Sequence, residues 1–258
     1  MKVKKILAGL IALILIGLIL INANAFVGNP ISKILVNQAA QKYVEDNYSN
    51  LDLELEKASY NFKDGNYYVY AKSKTSIDTH FSINFTGMGK FIYDNYKTDV
   101  IEKFNTWERV NTLYHDLVDT VVKNYSNNNI AYGEIFDKSD GFQELEIDKD
   151  YDIKKMAREN GHIVIYLTSD KLNEEILTQK LLEVKKLFDQ KEIPFYSIDL
   201  ILEAPFSEDE NREKTVNIRN FLYKDIHEDG LQERVNENVN KTIEHYNEMD
   251  KDKEKEIE

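Results

Sequence analysis

The feature that most constrains this chain is an uncharged apolar segment at residues 6–27. Fourteen of its twenty-two residues are Leu, Ile, Phe or Val, and Lys2, Lys4 and Lys5 precede it. A helix of that length spans about 33 Å, enough to cross a hydrocarbon core of about 30 Å. The positive-inside rule keeps the N terminus in the cytoplasm. The pattern therefore predicts a single-pass cell-membrane protein with the bulk of its chain extracellular.

A second interpretation of the same segment stays open. Ala23-Asn24-Ala25 is an A-x-A pattern, which is typical of a signal-peptidase site. The uninterrupted apolar core at 6–21 has sixteen residues, which is long for a signal peptide and short for a membrane span. An anchor and a signal cleaved after Ala25 both place the remaining chain outside the cytoplasm.

Charge and cysteine content exclude several classes of protein. With the three N-terminal lysines set aside, thirty basic residues stand against 46 acidic residues, a net charge near −16. Such a surface repels nucleic acid, so no nucleic-acid partner is expected. The chain has no cysteine, which excludes a disulfide framework, thiol catalysis and cysteine-ligated zinc.

The first half is typical of one helix followed by an antiparallel meander. Gly28-Asn29-Pro30 predicts a helix start, and the helix runs to about Tyr48. Alternating leucines and acids predict a strand from residue 51, with a bulge at Lys57. Asp64-Gly65 predicts a hairpin turn. Further strands are predicted at 67–73, 77–85 and 91–93, and a long amphipathic helix at 98–125.

The second half mixes strands and helices without a convincing repeat. Strands are predicted at 130–136, 162–167, 195–203 and 215–223, and helices at 153–159, after Ser169 and Asp170, and after Gly230. The expected fold class is α+β, an N-terminal transmembrane helix followed by two small helix-on-antiparallel-sheet units. The expected domains are 1–27 as anchor or uncleaved signal, 28–137, 138–248, and a disordered charged tail at 249–258.

One stretch carries a family resemblance. The apolar N terminus, Gly28-Asn29-Pro30, an amphipathic helix and the run at 60–67, YNFKDGNY, resemble the YfjL-like exported proteins of low-GC Gram-positive bacteria. The similarity covers roughly residues 1–95 and extends less clearly over the second half. It implies an exported protein with a helix on a sheet, and it implies no activity and no functional residue.

No catalytic, cofactor-binding or metal-binding residue is predicted, although one acidic cluster leaves calcium open. Asp148, Asp150, Asp152 and Glu159 match positions 1, 3, 5 and 12 of a calcium loop. Ile153, however, occupies the sixth position, where the sharp turn needs glycine. The alternative is a solvated connector between domains, which so acidic a chain produces readily by chance.

Other catalytic patterns are missing or cannot be read from a sequence. The histidines have no metal-binding spacing, so surface or structural roles are expected for His80, His115, His162, His227 and His245. No G-x-S-x-G motif and no phosphate-binding glycine loop occurs. Ser-His-Asp arrangements and paired carboxylates stay open, because they are spatial.

Aromatic residues crowd the first predicted hairpin and its neighbour: Tyr60, Phe62, Tyr67, Tyr68, Tyr70, Phe81 and Phe85. Adjacent residues of a strand point to opposite faces, so a face that the first helix does not cover displays tyrosine. That face is either a platform for a peptide strand or wall glycan, or a packing surface. Packing would take the form of cross-strand pairs or a contact with the 98–125 helix.

The sequence predicts a membrane-anchored extracytoplasmic protein, more readily a non-enzymatic binding or cell-envelope module than an enzyme. Its expected partners are the membrane and a cell-envelope protein or peptide, with no cofactor. The alternative is an exported hydrolase acting on cell wall or peptide. A deep cleft with a buried acid pair or a Ser-His contact favours the hydrolase, whereas a shallow aromatic surface favours the binding module. Ligand and oligomeric state are not determined by the sequence.

Overall fold

The computed structural model describes residues 9–11, 14, 15, 17, 24–123, 130–135, 144–205 and 215–257. Within these ranges, no helix is both long and apolar enough to cross a bilayer. The predicted N-terminal transmembrane helix is therefore wrong for the described part of the chain. The physical reason is the length of the apolar run, because the sixteen uninterrupted apolar residues at 6–21 are fewer than the roughly 20 that a membrane-spanning helix needs.

The chain forms two compact units. The first unit is Met1–Thr106 with Gln143–Lys149, and the second is Trp107–Phe142 with Asp150–Glu258. Each contains helices packed on a sheet, so the predicted α+β class is confirmed. The predicted domain boundary at 137/138 lies outside the described residues.

The first unit packs helix α1 on an antiparallel sheet. Its elements are α1 (Pro30–Asn47), β1 (Leu53–Leu55), β2 (Ser59–Asn61), β3 (Asn66–Ser73), β4 (His80–Phe85) and β5 (Phe91–Asp94). The sheet order is β1-β3-β4-β5, and β2 also pairs with β3. At Lys57, where the sequence predicts a bulge, the strand instead breaks between β1 and β2, and both of these short strands pair with β3.

Local sequence signals explain how these elements begin and turn. The Asn29 side chain accepts a hydrogen bond from the Ile31 amide, and Pro30 occupies the first helical turn, where its missing N–H costs nothing. Gly65 has a φ of 74° in the β2–β3 turn, a conformation that glycine adopts without strain. The predicted helix start and hairpin turn are thus confirmed.

The two faces of this sheet differ in burial. Alternate residues of β3 and β4 are buried with Val36, Ala40 and Val44 of α1: Tyr67, Val69, Ala71, Phe81, Ile83 and Phe85. On the opposite face, Tyr68 is 40% exposed. The alternation of burial follows the two-residue period of a strand.

A pair of aspartates fastens the segment 144–149 to the first unit. Asp78 is buried, and its Oδ2 accepts hydrogen bonds from Thr106 Oγ1 (2.9 Å) and the Asp148 amide (2.8 Å). In return, Asp148 Oδ1 accepts from the Asp78 amide (3.0 Å) and Ser76 Oγ (2.9 Å). Each carboxylate thus satisfies the backbone of the other residue.

The helix predicted at 98–125 is interrupted. Lys97–Ile101 form a π-helical turn, Lys103 has a φ of 62°, and α2 runs over Phe104–Lys123. The Asn105 side chain donates to the carbonyls of Asp78 and His80. These bonds reach residues far away in sequence, so helical periodicity alone does not predict the break.

The second unit surrounds a four-stranded sheet with helices. Besides α2, its elements are β6 (Ile130–Glu134), α3 (Ile153–Asn160), β7 (His162–Thr168), α4 (Glu174–Gln190), β8 (Ser197–Glu203), β9 (Thr215–Leu222) and α5 (Leu231–Ile257). The sheet order is β6-β7-β8-β9. The backbone of α5 remains helical through 249–257, where charge density predicts disorder. The cap of α4 is Asn173 rather than Ser169 or Asp170.

The expectation of an antiparallel sheet is wrong for the second unit, whose sheet is mixed. Strand β7 pairs parallel with β8, whereas β6–β7 and β8–β9 are antiparallel. A parallel neighbour needs a crossover connection, and α4 provides it between β7 and β8. The alternating strand patterns of the sequence do not encode this direction.

Helix α2 contributes its apolar face to the core of the second unit. Val110, Tyr114 and Val118 are fully buried in a cluster with residues of β7 and β8. Gly133 of β6 leaves space for this contact, since a Cβ there would lie 2.6 Å from a methyl carbon of Val118. The apolar stripe predicted at 98–125 is therefore divided, since Val100 belongs to the buried cluster of the first unit and Val110, Tyr114 and Val118 belong to that of the second.

Candidate functional site

A cavity of about 360 Å³ lies in the second unit, near the end of α4 and the start of β8. Four aromatic residues line it, namely Phe188, Phe195, Tyr196 and Tyr223. Its volume falls within the range of small-molecule binding sites, about 300–1,000 Å³. We call this feature the α4–β8 cavity.

The aromatic walls of the α4–β8 cavity form a connected set. The rings of Phe188 and Phe195 meet edge to face with centroids 5.5 Å apart, and Phe195 meets Tyr223 in the same way at 5.0 Å. Such edge-to-face pairs are favourable arrangements of aromatic quadrupoles. Phe188 and Phe195 are almost fully buried, whereas Tyr196 is 47% exposed. The cavity thus has a fixed inner wall and one accessible tyrosine.

The end of α4 places a charged side chain at the cavity in an unusual backbone conformation. The Ile193 amide donates to the Phe188 carbonyl (3.1 Å), which closes the helix as in a Schellman motif. Glu192 occupies the left-handed position of this motif, with a φ of 55°. Glycine is the usual residue there, and a side chain costs about 1 kcal/mol. Glutamate occupies this position, although glycine would adopt the same conformation without strain.

A charged network stabilises one wall. Lys185 Nζ donates to Asp189 Oδ2 (2.8 Å) and to the Tyr223 hydroxyl (2.9 Å), and that hydroxyl donates to Asp189 Oδ1 (2.8 Å). The ammonium also lies 4.1 Å from the centroid of the Tyr223 ring, a cation–π contact. Burial lowers the pKa of Lys185, but the bonds to Asp189 and Tyr223 outweigh burial and raise it. Lys185 therefore stays charged and neutralises Asp189.

Three other charged residues lining the cavity have side chains without a described partner. Arg158, Glu192 and Lys224 are exposed, and none makes a side-chain hydrogen bond or ion pair within the described part of the chain. Two positive charges and one negative charge are therefore accessible to a ligand.

The second sheet also brings together a serine, a histidine and an aspartate. His162 Nδ1 lies 2.8 Å from Ser197 Oγ, and His162 Nε2 lies 3.4 Å from Asp199 Oδ1. These residues start two adjacent parallel strands, because His162 and Ser197 are register partners. The sequence left such an arrangement open, and the structure contains one.

The surroundings of Ser197 limit the chemistry of this arrangement. Its side chain is buried, and its amide donates to the Gly161 carbonyl, so the amide is not available to stabilise an oxyanion. None of Ser197, His162 and Asp199 lines the α4–β8 cavity. The contact orients a histidine outside the α4–β8 cavity.

The aromatic residues singled out in the first unit are divided by the sheet. Tyr67, Phe81 and Phe85 are buried, and Tyr60 is the cross-strand partner of Tyr67, with ring centroids 5.0 Å apart. On the other face of the sheet, the Tyr70 hydroxyl forms a hydrogen bond with Nδ1 of His80. Tyr68 and Phe62 are exposed, at 40% and 60%. Most of the set therefore packs, and the exposed remainder is small.

Two of the four acidic residues of the calcium hypothesis have other partners. Asp148 accepts from the Asp78 amide, and Asp152 accepts from the Lys155 amide as the N-cap of α3. No group of three or more acidic or histidine residues suited to a metal ion occurs in the described ranges.

Besides His162, the histidines make isolated contacts. His227 Nδ1 accepts from Arg234 (3.2 Å), and the His245 ring lies 6.1 Å from that of Tyr246. The His115 ring lies 5.3 Å from that of Tyr132, and its buried Nδ1 has no hydrogen-bond partner among the described residues.

Sequence reasoning missed the α4–β8 cavity entirely. The only local signal is Pro194-Phe195-Tyr196, a proline followed by two aromatic residues directly after a helix. Tyr223 lies far along the chain and reaches the same place only because β9 pairs with β8.

Comparison with known protein families gives two matches that cover nearly the whole chain. Residues 3–99 match the YfjL-like N-terminal domain, and residues 113–236 match the YfjL-like C-terminal domain. The passage from the first unit to the second, at Thr106/Trp107, lies between these two matches. Searches of curated proteins and of solved structures found no match. The chain therefore belongs to the YfjL-like family.

Proposed function

We propose that this protein is a non-enzymatic binding module whose α4–β8 cavity holds a small ligand or a side chain of a partner. The observation that carries the proposal is the combination of fixed aromatic walls with charged groups that lack a partner of their own. A largely apolar cavity with a few polar groups is the usual form of a small-ligand site. The strained Glu192 supports the same assignment, because strained residues cluster at functional sites.

We also propose that the module works outside the cytoplasm, as a body released after Ala25. Support comes from the apolar N-terminal segment and its A-x-A pattern, and residues 24–27 are exposed. N-terminal sequencing of the secreted protein checks this location, with Phe26 as the expected first residue. A mature protein that retains residues 1–25 contradicts it.

Saturation-transfer NMR with the neutral aromatic probes indole and benzyl alcohol tests the binding function. Leu222 lines the cavity, and Leu222→Trp fills part of it with a larger side chain. Leu113→Trp is the matched control, because Leu113 is 44% exposed and lies away from the cavity. The probes are expected to bind the wild type and the control and to lose most binding to Leu222→Trp.

Chemical-shift mapping on the wild type guards against a variant that does not fold. Binding of either probe is expected to shift amides around Phe195 and Tyr223 and to leave those of the first unit unchanged. Equal binding to both tryptophan variants, or shifts that avoid the cavity, contradicts the proposal.

A hydrolase is the second candidate function, favoured by the 2.8 Å contact between Ser197 and His162. A serine activated by histidine reacts with fluorophosphonates. A hydrolase predicts covalent labelling at Ser197 that is lost in His162→Gln. The binding module predicts no adduct at Ser197, as its buried side chain and occupied amide lead us to expect.

A further inference from the structure

We infer that the ligand of the α4–β8 cavity is an aromatic ring carrying a carboxylate and an N–H group a few atoms away. This inference rests on the proposed binding function and names its ligand class. An aromatic amino acid has these three groups, whether it is free or forms the C terminus of a peptide. Size, charge and hydrogen bonding at the cavity each support one of them.

The size and walls of the cavity suit a ring. A cavity of about 150 Å³ lined by apolar side chains holds benzene. At about 360 Å³, the α4–β8 cavity has room for a ring and for the atoms that connect it to a polar group. Phe195 and Tyr223 line the cavity, and a ligand ring can pack against these aromatic side chains.

The charges at the cavity favour an anion. The whole chain has a formal net charge of −13, yet the unpartnered charges lining the cavity are Arg158, Lys224 and Glu192, a local excess of one positive charge. An arginine can bind a carboxylate through two parallel hydrogen bonds, and a lysine adds a point charge. The C terminus of α4 adds a partial negative charge of about half an elementary charge, which is smaller than this local excess of one positive charge.

Glu192 provides the complementary acceptor. A carboxylate accepts hydrogen bonds and donates none, so its partner in a ligand is an ammonium or an amide N–H. In an amino acid this N–H donor is bonded to the same carbon as the carboxylate and the side chain. Arg158, Glu192 and the aromatic walls therefore match the three substituents of that carbon.

The test is isothermal titration calorimetry of the full chain with N-acetylphenylalanine and with N-acetylphenylalaninamide. The two probes differ only at the carboxyl group, which is an anionic carboxylate in the acid and a neutral carboxamide with two N–H donors in the amide. The acid is expected to bind at least about tenfold more tightly than the amide, as expected for charge-assisted hydrogen bonds. Arg158→Gln combined with Lys224→Gln is expected to bring the two affinities within about twofold of each other.

Lys154→Gln combined with Lys155→Gln is the matched control. These exposed lysines lie on α3 with Arg158 but do not line the cavity. Their removal lowers the net charge by two, the same change as in the Arg158→Gln, Lys224→Gln variant. The control is expected to keep the preference for the acid. If the preference for the acid over the amide falls equally in both double variants, it arises from the electrostatic field of the whole protein, and the inference is overturned.

The remaining outcomes separate this inference from the proposed function. Equal affinity for acid and amide, both lost in Leu222→Trp, overturns the ligand class and leaves the binding function intact. No binding of either probe or of the neutral aromatic probes overturns both. Within the inferred class, tighter binding of Gly-Gly-Gly-Phe than of free phenylalanine assigns the peptide C terminus, and the reverse assigns the free amino acid.

Discussion

Aromatic side chains occupy different places in the two units. In the first unit, Phe81 and Phe85 belong to β4, and their rings are buried with residues of α1. In the second unit, Phe195 and Tyr196 precede β8 and Tyr223 follows β9, so their rings collect where the strands begin and end. Within a strand, the two-residue alternation directs every second ring into the core, whereas aromatic residues just outside the strands can surround a cavity.

This difference shows why a count of aromatic residues in the sequence does not locate the cavity. The 60–85 stretch contains seven tyrosines and phenylalanines, more than either short segment that lines the cavity. Its alternating strands, however, bury Tyr67, Phe81 and Phe85 in a core. The segments that form the cavity are short and distant in sequence, so no single window shows them as a group.

The largest expected effect is the loss of a ring from the core of the first unit. Phe81 is fully buried, and its ring contacts those of Tyr48 and Tyr96 at 5.0 and 5.1 Å. Phe81→Ala is expected to lower the free energy of unfolding of this unit by about 3–5 kcal/mol. Phe195→Ala is expected to lie near the lower end of that range, because one side of its ring already faces the cavity.

Amide hydrogen exchange in β3 and β4 measures this loss, with the exposed Tyr68→Ala as control. The control is expected to change stability by less than about 1 kcal/mol. If Phe81→Ala costs no more than Tyr68→Ala, the assignment of the two faces of the sheet is wrong.

An intermediate effect is expected from alkaline pH. The hydroxyls of Tyr43 and Tyr48 both donate to Asp94 Oδ2, at 2.6 and 2.8 Å. Burial, and then Asp94, raise the pKa of Tyr43 to about 12 and raise the pKa of Tyr48 further. Because both folded pKa values lie above the ordinary value of about 10, this stabilisation is complete below pH 10. The contribution of Tyr43 is lost between pH 10 and 12, and that of Tyr48 declines over a range that extends to higher pH.

Urea unfolding of the first unit between pH 8 and 12 checks this dependence. Tyr43→Phe removes one of the titrating groups and is expected to flatten the decline. In the second unit, burial raises the pKa of Tyr114, whose hydroxyl donates to the Pro194 carbonyl, so a smaller decline is expected there. If the free energy of unfolding of the wild-type first unit declines with pH no more than that of the Tyr43→Phe variant, this account is wrong.

The smallest expected effect concerns the end of α4. Glu192→Gly is expected to raise the free energy of unfolding of the second unit by about 0.5–1 kcal/mol, because glycine adopts the left-handed conformation without strain. The neighbouring Lys191→Gly is the control. With a φ of −91°, Lys191 gains nothing from glycine, so the control is expected to be destabilising.

Thermal unfolding followed by circular dichroism measures both changes. A destabilising Glu192→Gly would mean that the Glu192 side chain supports the fold. In that case its position at the cavity needs no functional explanation.

Local signals allowed much of the first unit to be predicted. Asn29 and Pro30 mark the start of α1, and Asp64-Gly65 marks the hairpin. Each signal acts through hydrogen bonds and backbone conformations within about four residues. Prediction failed where distant contacts compete, as at Lys103, where Asn105 bonds strand β4 and the helix breaks.

The sequence by itself determined the α+β class, the family and the positions of most strands and turns, since periodicity and turn chemistry are local. Tertiary structure alone decided that β7 and β8 run parallel, that His162 meets Ser197, and that Tyr223 joins Phe195 around a cavity. These features depend on which strands become neighbours. The long connections and the burial of the whole core determine which strands pair. A short window of sequence contains no signal for either of them.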